Sequence, residues 1–560
     1  MSTRTVEIDA GAGWRTVCGY DELQPGRGVT VLVDGHQVAL FRDRAGELYA
    51  VGNQDPFSGA HVISRGILGS RAGVPVVASP MYKQAFDLRS GACLDEDGAT
   101  GAAPAALPVW PVRITEAPAP RPHRITDWRP EDPVFWETTG ARTARRNLVH
   151  SVLCEHIGFS VWSLWSVLVL FLGPEYGIDP AGKFLLTAVP TLAGSALRLP
   201  YTVAVAVLGG RTWTVVSALV LLVPTALTAW VLHPGVSYTT LLAVAAVAGV
   251  GGGNFASSMA NINSFYPQRL KGRVLGINAG GGNLGVPAVQ LLGLAVLATA
   301  GAAHPRILPL LYIPLIAAAA VAAYLRMDDL AHVRPAGRPL REVTRNPHTW
   351  LVSLLYIGTF GSFIGFGFAF GQVLLVQFPD AFPTPVRAAS LTFLGPLLGS
   401  LARPVGGWLA DRWGGARVTF WAFAAMAAGT LLVLAASQHH SLPLFLTGFV
   451  LLFVLSGLGN GSTYKMIPGI FRAEVRRRAA AGTDTRAAEE RSHRHASALM
   501  GIAGAVGAFG GVIVNVAFRQ AFLDSGTGEA AYAAFLALYL LCLAVTWAGY
   551  LRPARRTAGV

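Results

Sequence analysis

Arg198 and Arg403 each lie inside a long apolar segment, about two hundred residues apart, and each is followed eleven and twelve positions later by a Gly-Gly pair, Gly209-Gly210 and Gly414-Gly415. An arginine at the centre of a membrane helix costs about 2.5–3.5 kcal/mol on insertion scales, so two at matched places need a compensating role. Alone, either one could snorkel to the interface or serve a structural ion pair; the matched pair favours a site. Between the second and last apolar segments no Asp or Glu falls deep inside a span, and Asp411 stands at a span's end. Two guanidiniums without carboxylates make a positive cavity. Guanidinium is planar, permanently charged and forked, and it meets a planar oxyanion bidentately where an ammonium offers only a point charge. The chemistry is anion binding, with a small trigonal anion as the best fit.

Other segments repeat in the same order. Gly253-Asn254 is echoed by Gly459-Asn460, and Gly276, Gly282 and Gly285 recur with identical spacing as Gly501, Gly507 and Gly510. Duplicated halves with a charge at corresponding depths point to a transporter whose site lies near the bilayer midplane between them. Glycines at such spacing are by default helix-packing surfaces. Asn278 and Asn283 differ, because an amide in hydrocarbon wants a partner, and both are candidate donors to the anion. Phe255, Tyr356 and Phe360 are commonly packing residues, yet Tyr356 and Phe360 share one helix face and could shut a cavity around a flat anion. Glu155-His156, inside the first apolar segment, is a candidate proton-coupling pair. The plainer expectation puts both near the cytoplasmic interface with a structural role.

The elements that position these residues follow from composition. The chain has 560 residues, of which 52% are hydrophobic and 13% charged, with a mean hydropathy of +0.46. That is too apolar for an ordinary soluble enzyme and indicates a protein of the lipid bilayer. The formal charge of +13 reflects Lys and Arg beside apolar segments rather than a nucleic-acid surface, so no nucleic-acid partner is expected. Four cysteines without a CxxC or a Cys-His cluster predict neither disulfides nor a metal site. Apolar stretches of a spanning length recur roughly twelve times from residue 148 onward. Arg145, Arg146, Arg211, Arg269, Lys271, Arg273, residues 334–345, Arg412, Arg417, residues 476–478 and residues 552–556 fall on one side, against Lys183, Arg306 and Arg387 on the other. The positive-inside bias then places both termini in the cytoplasm, in a multi-pass protein of the inner (cytoplasmic) membrane. Residues 473–495 read as a mobile cytoplasmic loop. Ahead of the spans, residues 1–117 are β-rich, with Asp34-Gly35 as a hairpin turn. Residues 118–147 read as a Pro-rich, semi-extended linker, 148–552 as the membrane domain and 553–560 as a cytoplasmic tail.

The segments 252–261, 276–285, 356–366 and 459–463 closely resemble the nitrate/nitrite porter family of the major facilitator superfamily, over about residues 148–550. The resemblance implies an all-α, twelve-helix polytopic fold in two six-helix halves that carries nitrate and nitrite. It implies Arg198 and Arg403 as the anion-clamping arginines, Asn283 as a substrate-contacting amide, and Phe255, Tyr356 and Phe360 as the aromatic enclosure. Asp411 and Arg412, with Gly414, Gly415 and Arg417, resemble the superfamily's cytoplasmic loop motif, which latches conformations.

Residues 14–113 resemble a Rieske-type ferredoxin domain, in particular the small subunit of assimilatory NAD(P)H nitrite reductase, through the segments 53–60 and 78–93. A Rieske centre needs Cys-x-His and Cys-x-x-His. The corresponding positions hold Asp55, Phe57, Ser79 and Tyr82, so a small all-β Rieske-like module without a cluster is expected, and no cofactor. The sequence reading is a transporter, with nitrate/nitrite exchange as the natural cycle of an arginine pair, fused to a module that brings a nitrite reductase large subunit to the point of substrate entry. Its alternatives are a proton-coupled nitrate symporter using Glu155 and His156, a nitrite reductase small-subunit component, and a sensor built on a degenerate carrier.

Overall fold

The computed structural model describes residues 4–11, 13–95, 105–116, 123–331, 341–480 and 485–552. The chain divides into two compact units, Met1–Arg124 and Ile125–Val560. Residues 118–122 of the expected linker, 334–340 of the basic loop and the tail 553–560 lie outside the described residues.

The first unit is all β. Strands β1 (Arg4–Asp9), β2 (Trp14–Gly19), β3 (Gly28–Val33), β4 (His36–Arg42), β5 (Leu48–Gly52), β6 (Ile67–Arg71), β7 (Val74–Ala78), β8 (Ala85–Asp87), β9 (Val109–Trp110) and β10 (Val112–Glu116) form three sheets ordered β10-β1-β2, β3-β4-β5-β9 and β6-β7-β8. The β3–β4 hairpin turns at Asp34 and Gly35, both at positive φ (46° and 88°), the geometry that Asp-Gly accepts readily. In β4 the alternation serves two cores. Val38 and Leu40 pack with Val6, Ile8 and Leu23, while Ala39 and Phe41 pack with Val77 and Phe86.

The second unit is helical. Its long helices are α1 (Ala141–Trp162), α2 (Pro180–Leu208), α3 (Gly210–Val231), α4 (Tyr238–Phe265), α5 (Gln268–Thr299), α6 (Ile307–Arg326), α7 (Pro347–Gln377), α8 (Leu394–Trp413), α9 (Gly415–Gln438), α10 (Leu442–Val475), α11 (Arg494–Ser525) and α12 (Glu529–Leu551). Ten of the described helices are long and apolar enough to cross a membrane. Helices α1 and α8 fall outside that set; they carry the charges Arg145, Arg146 and Glu155, and Arg403, Asp411 and Arg412. The repeat shows at the α2–α3 and α8–α9 corners, where Gly209 (φ 94°) and Gly414 (φ 88°) take the positive φ that a side chain would strain.

The structure corrects two boundaries. Residues 125–147 are not a free linker: Asp132 caps a helical turn, helix α1 begins at Ala141, and Trp128 and Trp136 pack on Phe265 and Tyr266 at 5.3 and 5.5 Å. These aromatic anchors are what a composition-based reading of a Pro-rich stretch misses. Nor are residues 473–495 a loop throughout. The helices containing α10 and α11 run on as Leu442–Ala480 and Thr485–Ser525, consistent with the Ala, Arg and Glu content of these extensions, and only 481–484 lie outside the described residues.

The halves meet where α2 packs on α11 and α5 on α8. Thr187 Oγ1 and Asn515 Oδ1 lie 2.7 Å apart across the first of these seams.

Candidate anion site between the two halves

Helix α2 carries Arg198 into a fully buried position. Its Nε donates to the Gly252 carbonyl of α4 (3.2 Å) and its Nη1 to the Gly504 carbonyl of α11 (2.7 Å). Arg403, on α8, is also buried, and its Nη2 donates to the Tyr356 hydroxyl at 3.0 Å. One buried nitrogen of each guanidinium has no hydrogen-bond partner, Nη2 of Arg198 and Nη1 of Arg403. An unpartnered buried cationic donor is costly, and an acceptor beside either nitrogen would offset that cost.

Aromatic rings join the two arginines. The Arg198 guanidinium stands 4.6 Å from the Phe255 ring centre and 4.9 Å from that of Phe360, and the Arg403 guanidinium 5.7 and 5.9 Å from the same two. Phe255 and Phe360 face each other at 6.0 Å and 27°, and Tyr356 stacks on Phe360 at 5.2 Å and 10°. A π-helical turn at Ile357–Gly361 interrupts α7 between these two rings, the kind of local widening that marks functional positions. A cavity of about 1630 Å³ reaches Phe255 and Arg403 and opens at the end of the bundle carrying Arg269, Lys271, Arg273, Lys465, Arg472 and Arg494.

The expected amides separate. Asn283 is buried with neither amide atom partnered. Asn278 is instead committed to protein: its Nδ2 donates to Glu155 Oε2 at 2.7 Å, and it shares hydrogen bonds with Ser258 Oγ. Glu155 is fully buried, with Oε1 unpartnered. His156 Nδ1 lies 3.2 Å from the Gly281 carbonyl.

The six glycines separate too. A Cβ on Gly282 would meet Glu155, on Gly285 the His156 backbone, on Gly507 the Tyr356 ring and on Gly510 the Gly361 backbone, all closer than contact allows. Gly276 and Gly501 depart from the packing expectation. Nothing lies within 4 Å of a Cβ on Gly276, the nearest neighbour of one on Gly501 is Thr202 at 3.7 Å, and both glycines line the cavity. At the loop motif, Asp411 pairs with Lys465 at 2.8 Å, the Arg412 guanidinium lies 4.9 Å over the Trp408 ring, and Arg417 is exposed.

Some polar residues drew no site role from the sequence. Tyr464 packs on Tyr356 at 5.7 Å, 5.9 Å from the Arg403 guanidinium. Asn254 and Asn460, the repeated pair, are buried with both amide atoms unpartnered. Their repetition was a signal; the spacing Asn460 to Tyr464, one helical turn, would have extended it.

In the first unit, Asp55 and Ser79 are buried and hydrogen-bonded to each other, while Phe57 and Tyr82 are exposed. The Phe57 and Ser58 amides donate to the same carboxylate at 2.9 Å each. Burial works to raise the Asp55 carboxyl, but the Ser79 hydroxyl and these amides outweigh it and hold the group below its usual range. The four residues do not fit an iron–sulfur cluster: none is Cys or His, and among the described residues no group of three metal-binding side chains converges.

Comparison with known proteins agrees with both units. Residues 156–484 match the Major Facilitator Superfamily and residues 13–118 a Rieske-like [2Fe-2S] domain. The "Nitrate/nitrite transporter NarU" of Salmonella typhimurium is 39% identical over 450 residues, 76% of this chain and 96% of that protein. The "Probable nitrate/nitrite antiporter NarK2" of Thermus thermophilus is 36% identical over 376 residues, covering 62% and 83%. Over 85 residues, 15% of this chain and 79% of the relative, the "Nitrite reductase (NADH) small subunit" of Salmonella typhimurium is 41% identical. The xylose transporter XylE from E. coli, in a partially occluded inward open conformation, shares the fold with a TM-score of 0.54 at 12% identity, covering 72% of this chain and 99% of its own. With its duplicated helical halves, buried arginine pair and these relatives, the chain belongs to the nitrate/nitrite porter family of the Major Facilitator Superfamily and carries an N-terminal Rieske-like domain.

Proposed function

We propose that the protein carries nitrate and nitrite across the inner membrane by exchange, holding the anion between Arg198 and Arg403 with Phe255 and Phe360 over its faces. The observation that carries this reading is the pair of buried guanidinium nitrogens, one on each half, that lack an acceptor. The empty site resists reorientation, because its charges would cross a closed, desolvated state unmatched; a bound anion offsets them. The names of the relatives, a nitrate/nitrite transporter and an antiporter, support the same cycle. The cavity mouth, ringed by Arg269, Lys271 and Arg273, then faces the cytoplasm, with both termini on that side. The Rieske-like domain, free of cluster ligands, serves as a docking module for a nitrite reductase large subunit rather than as an electron carrier.

The test is nitrate uptake into proteoliposomes preloaded with nitrite or left empty, with and without a pH gradient. Exchange requires internal nitrite and no gradient, and it persists in Glu155→Gln. A second reading, proton symport, is favoured by the buried carboxylate of Glu155 with its free oxygen. Uptake that needs the gradient, ignores internal nitrite and vanishes in Glu155→Gln would establish it instead. Docking is tested by pull-down of the large subunit with residues 1–117, and absence of association would remove it.

A further inference from the structure

Tyr464 has a place beside the site that the arginine clamp does not use. A Cβ on Gly461 would run into the Arg403 carbonyl, so α10 and α8 close on each other at the arginine's own backbone. Tyr464 follows Gly461 by three residues and shares that face of α10. Its ring accordingly stands 5.7 Å from that of Tyr356 and 5.9 Å from the Arg403 guanidinium, and it lines the cavity together with Arg403 and Phe255. The two tyrosines differ in what their hydroxyls do. That of Tyr356 accepts from Arg403 Nη2, whereas that of Tyr464 has no hydrogen-bond partner among the described residues. A buried tyrosine kept for packing usually spends its hydroxyl on protein, as Tyr532 and Tyr539 of the same half do on Gln377 and Ser362. A free phenolic donor at the cavity wall, beside a cation that itself has an unpartnered nitrogen, is suited to an anion held by that cation.

We propose that Tyr464 is a further anion-binding residue, whose hydroxyl donates to the oxygen that nitrate has and nitrite lacks, so that it tilts the site toward nitrate. This rests on the two-arginine reading above. The unpartnered nitrogens of Arg198 and Arg403 supply one donor group from each half, enough for the two oxygens that both anions share. Nitrate brings a third oxygen, and Tyr464 offers a third donor beside Arg403. A site with a hydrogen-bonding group discriminates against the analogue that lacks its partner. Nitrite leaves the hydroxyl unmatched.

The experiment uses the full chain. Binding of nitrate and of nitrite to the purified protein is measured by titration calorimetry for wild type, Tyr464→Phe, Tyr464→Ala and Tyr356→Phe. Tyr464→Phe keeps the ring and removes only the hydroxyl; it should weaken nitrate about tenfold and leave nitrite within about twofold. Tyr464→Ala also removes the ring beside Arg403 and should weaken both anions. Tyr356→Phe acts through Arg403 and should weaken both alike. In vesicles, the advantage of nitrate over nitrite as an inhibitor of counterflow should shrink about tenfold in Tyr464→Phe. Unchanged nitrate affinity in a folded Tyr464→Phe protein, or an equal loss for the two anions, overturns the proposal, as does a nitrate-selective loss in Tyr356→Phe alone. Failure of the two-arginine reading looks different, since Arg198→Lys and Arg403→Lys would then bind both anions as the wild type does.

Discussion

A buried guanidinium that gives two nitrogens to protein acceptors and keeps a third free cannot be imitated by an ammonium in the same place. Arg198 spends Nε and Nη1 on the Gly252 and Gly504 carbonyls and presents Nη2. A lysine there must choose between those carbonyls and the anion. Arg198→Lys and Arg403→Lys are therefore each expected to lower nitrate uptake by about a hundredfold or more while the protein still elutes as a folded monodisperse species. Near-normal uptake by either would remove the two-arginine clamp. Tyr356→Phe is milder: it strips the acceptor from Arg403 Nη2 and should cost about tenfold in apparent nitrate affinity, read from the half-saturation of counterflow. The arginines were legible because a charge in an apolar run is conspicuous in one dimension. Glu155 was visible, but its surroundings were not. It sits near the start of its apolar segment, yet α1 begins earlier, at Ala141, and the walls around the carboxylate come from α4 and α5. The fate of Asn278, taken up by Glu155 and Ser258, was hidden for the same reason.

At the scale of elements, the repeat told where glycines recur but not what each one faces. Gly276 and Gly501 occupy matched places in α5 and α11 and both line the cavity, whereas Gly507 and Gly510 let α11 close on Tyr356 and Gly361 of α7. The difference has a measurable consequence. Gly276→Ala and Gly501→Ala should shift stability by no more than about 0.5 kcal/mol, since neither added methyl meets a tight neighbour. Gly507→Ala and Gly510→Ala should cost about 1–3 kcal/mol through overpacking, with Gly507→Ala also displacing the Tyr356 ring. Thermal unfolding in detergent gives the ranking, and equal losses across all four would contradict this assignment. Period and spacing could specify that α5 and α11 are glycine-rich helices; only the packing of α7 against α11 decides which glycines bear contact.

At the scale of the whole molecule, a transporter duplicated within itself is joined to a β domain whose metal positions have been rewritten. The hairpin and fold class of that domain were readable, because Asp34-Gly35 marks a two-residue turn between β-rich runs; Asp55, Phe57, Ser79 and Tyr82 offer no Cys or His to a Rieske centre. What could not be read was the network at Asp55, which gathers the Ser79 hydroxyl and the Phe57 and Ser58 amides and ties two loops together. Expressed as residues 1–117, the domain should be folded, colourless and free of iron. Stoichiometric iron by elemental analysis would refute this. The Asp55 network adds a pH signature. Its carboxyl lies below the ordinary value of 3.8 in the folded state, so its stabilisation is fully present above that value and is lost as pH falls through the folded-state one. Thermal stability of the fragment should thus decline on acidification below about pH 4, and Asp55→Asn should lower stability at neutral pH while flattening that decline. A wild-type fragment and an Asp55→Asn fragment with parallel acid profiles would show that the hydrogen bonds from Ser79 and the two amides do not stand in for the missing cluster.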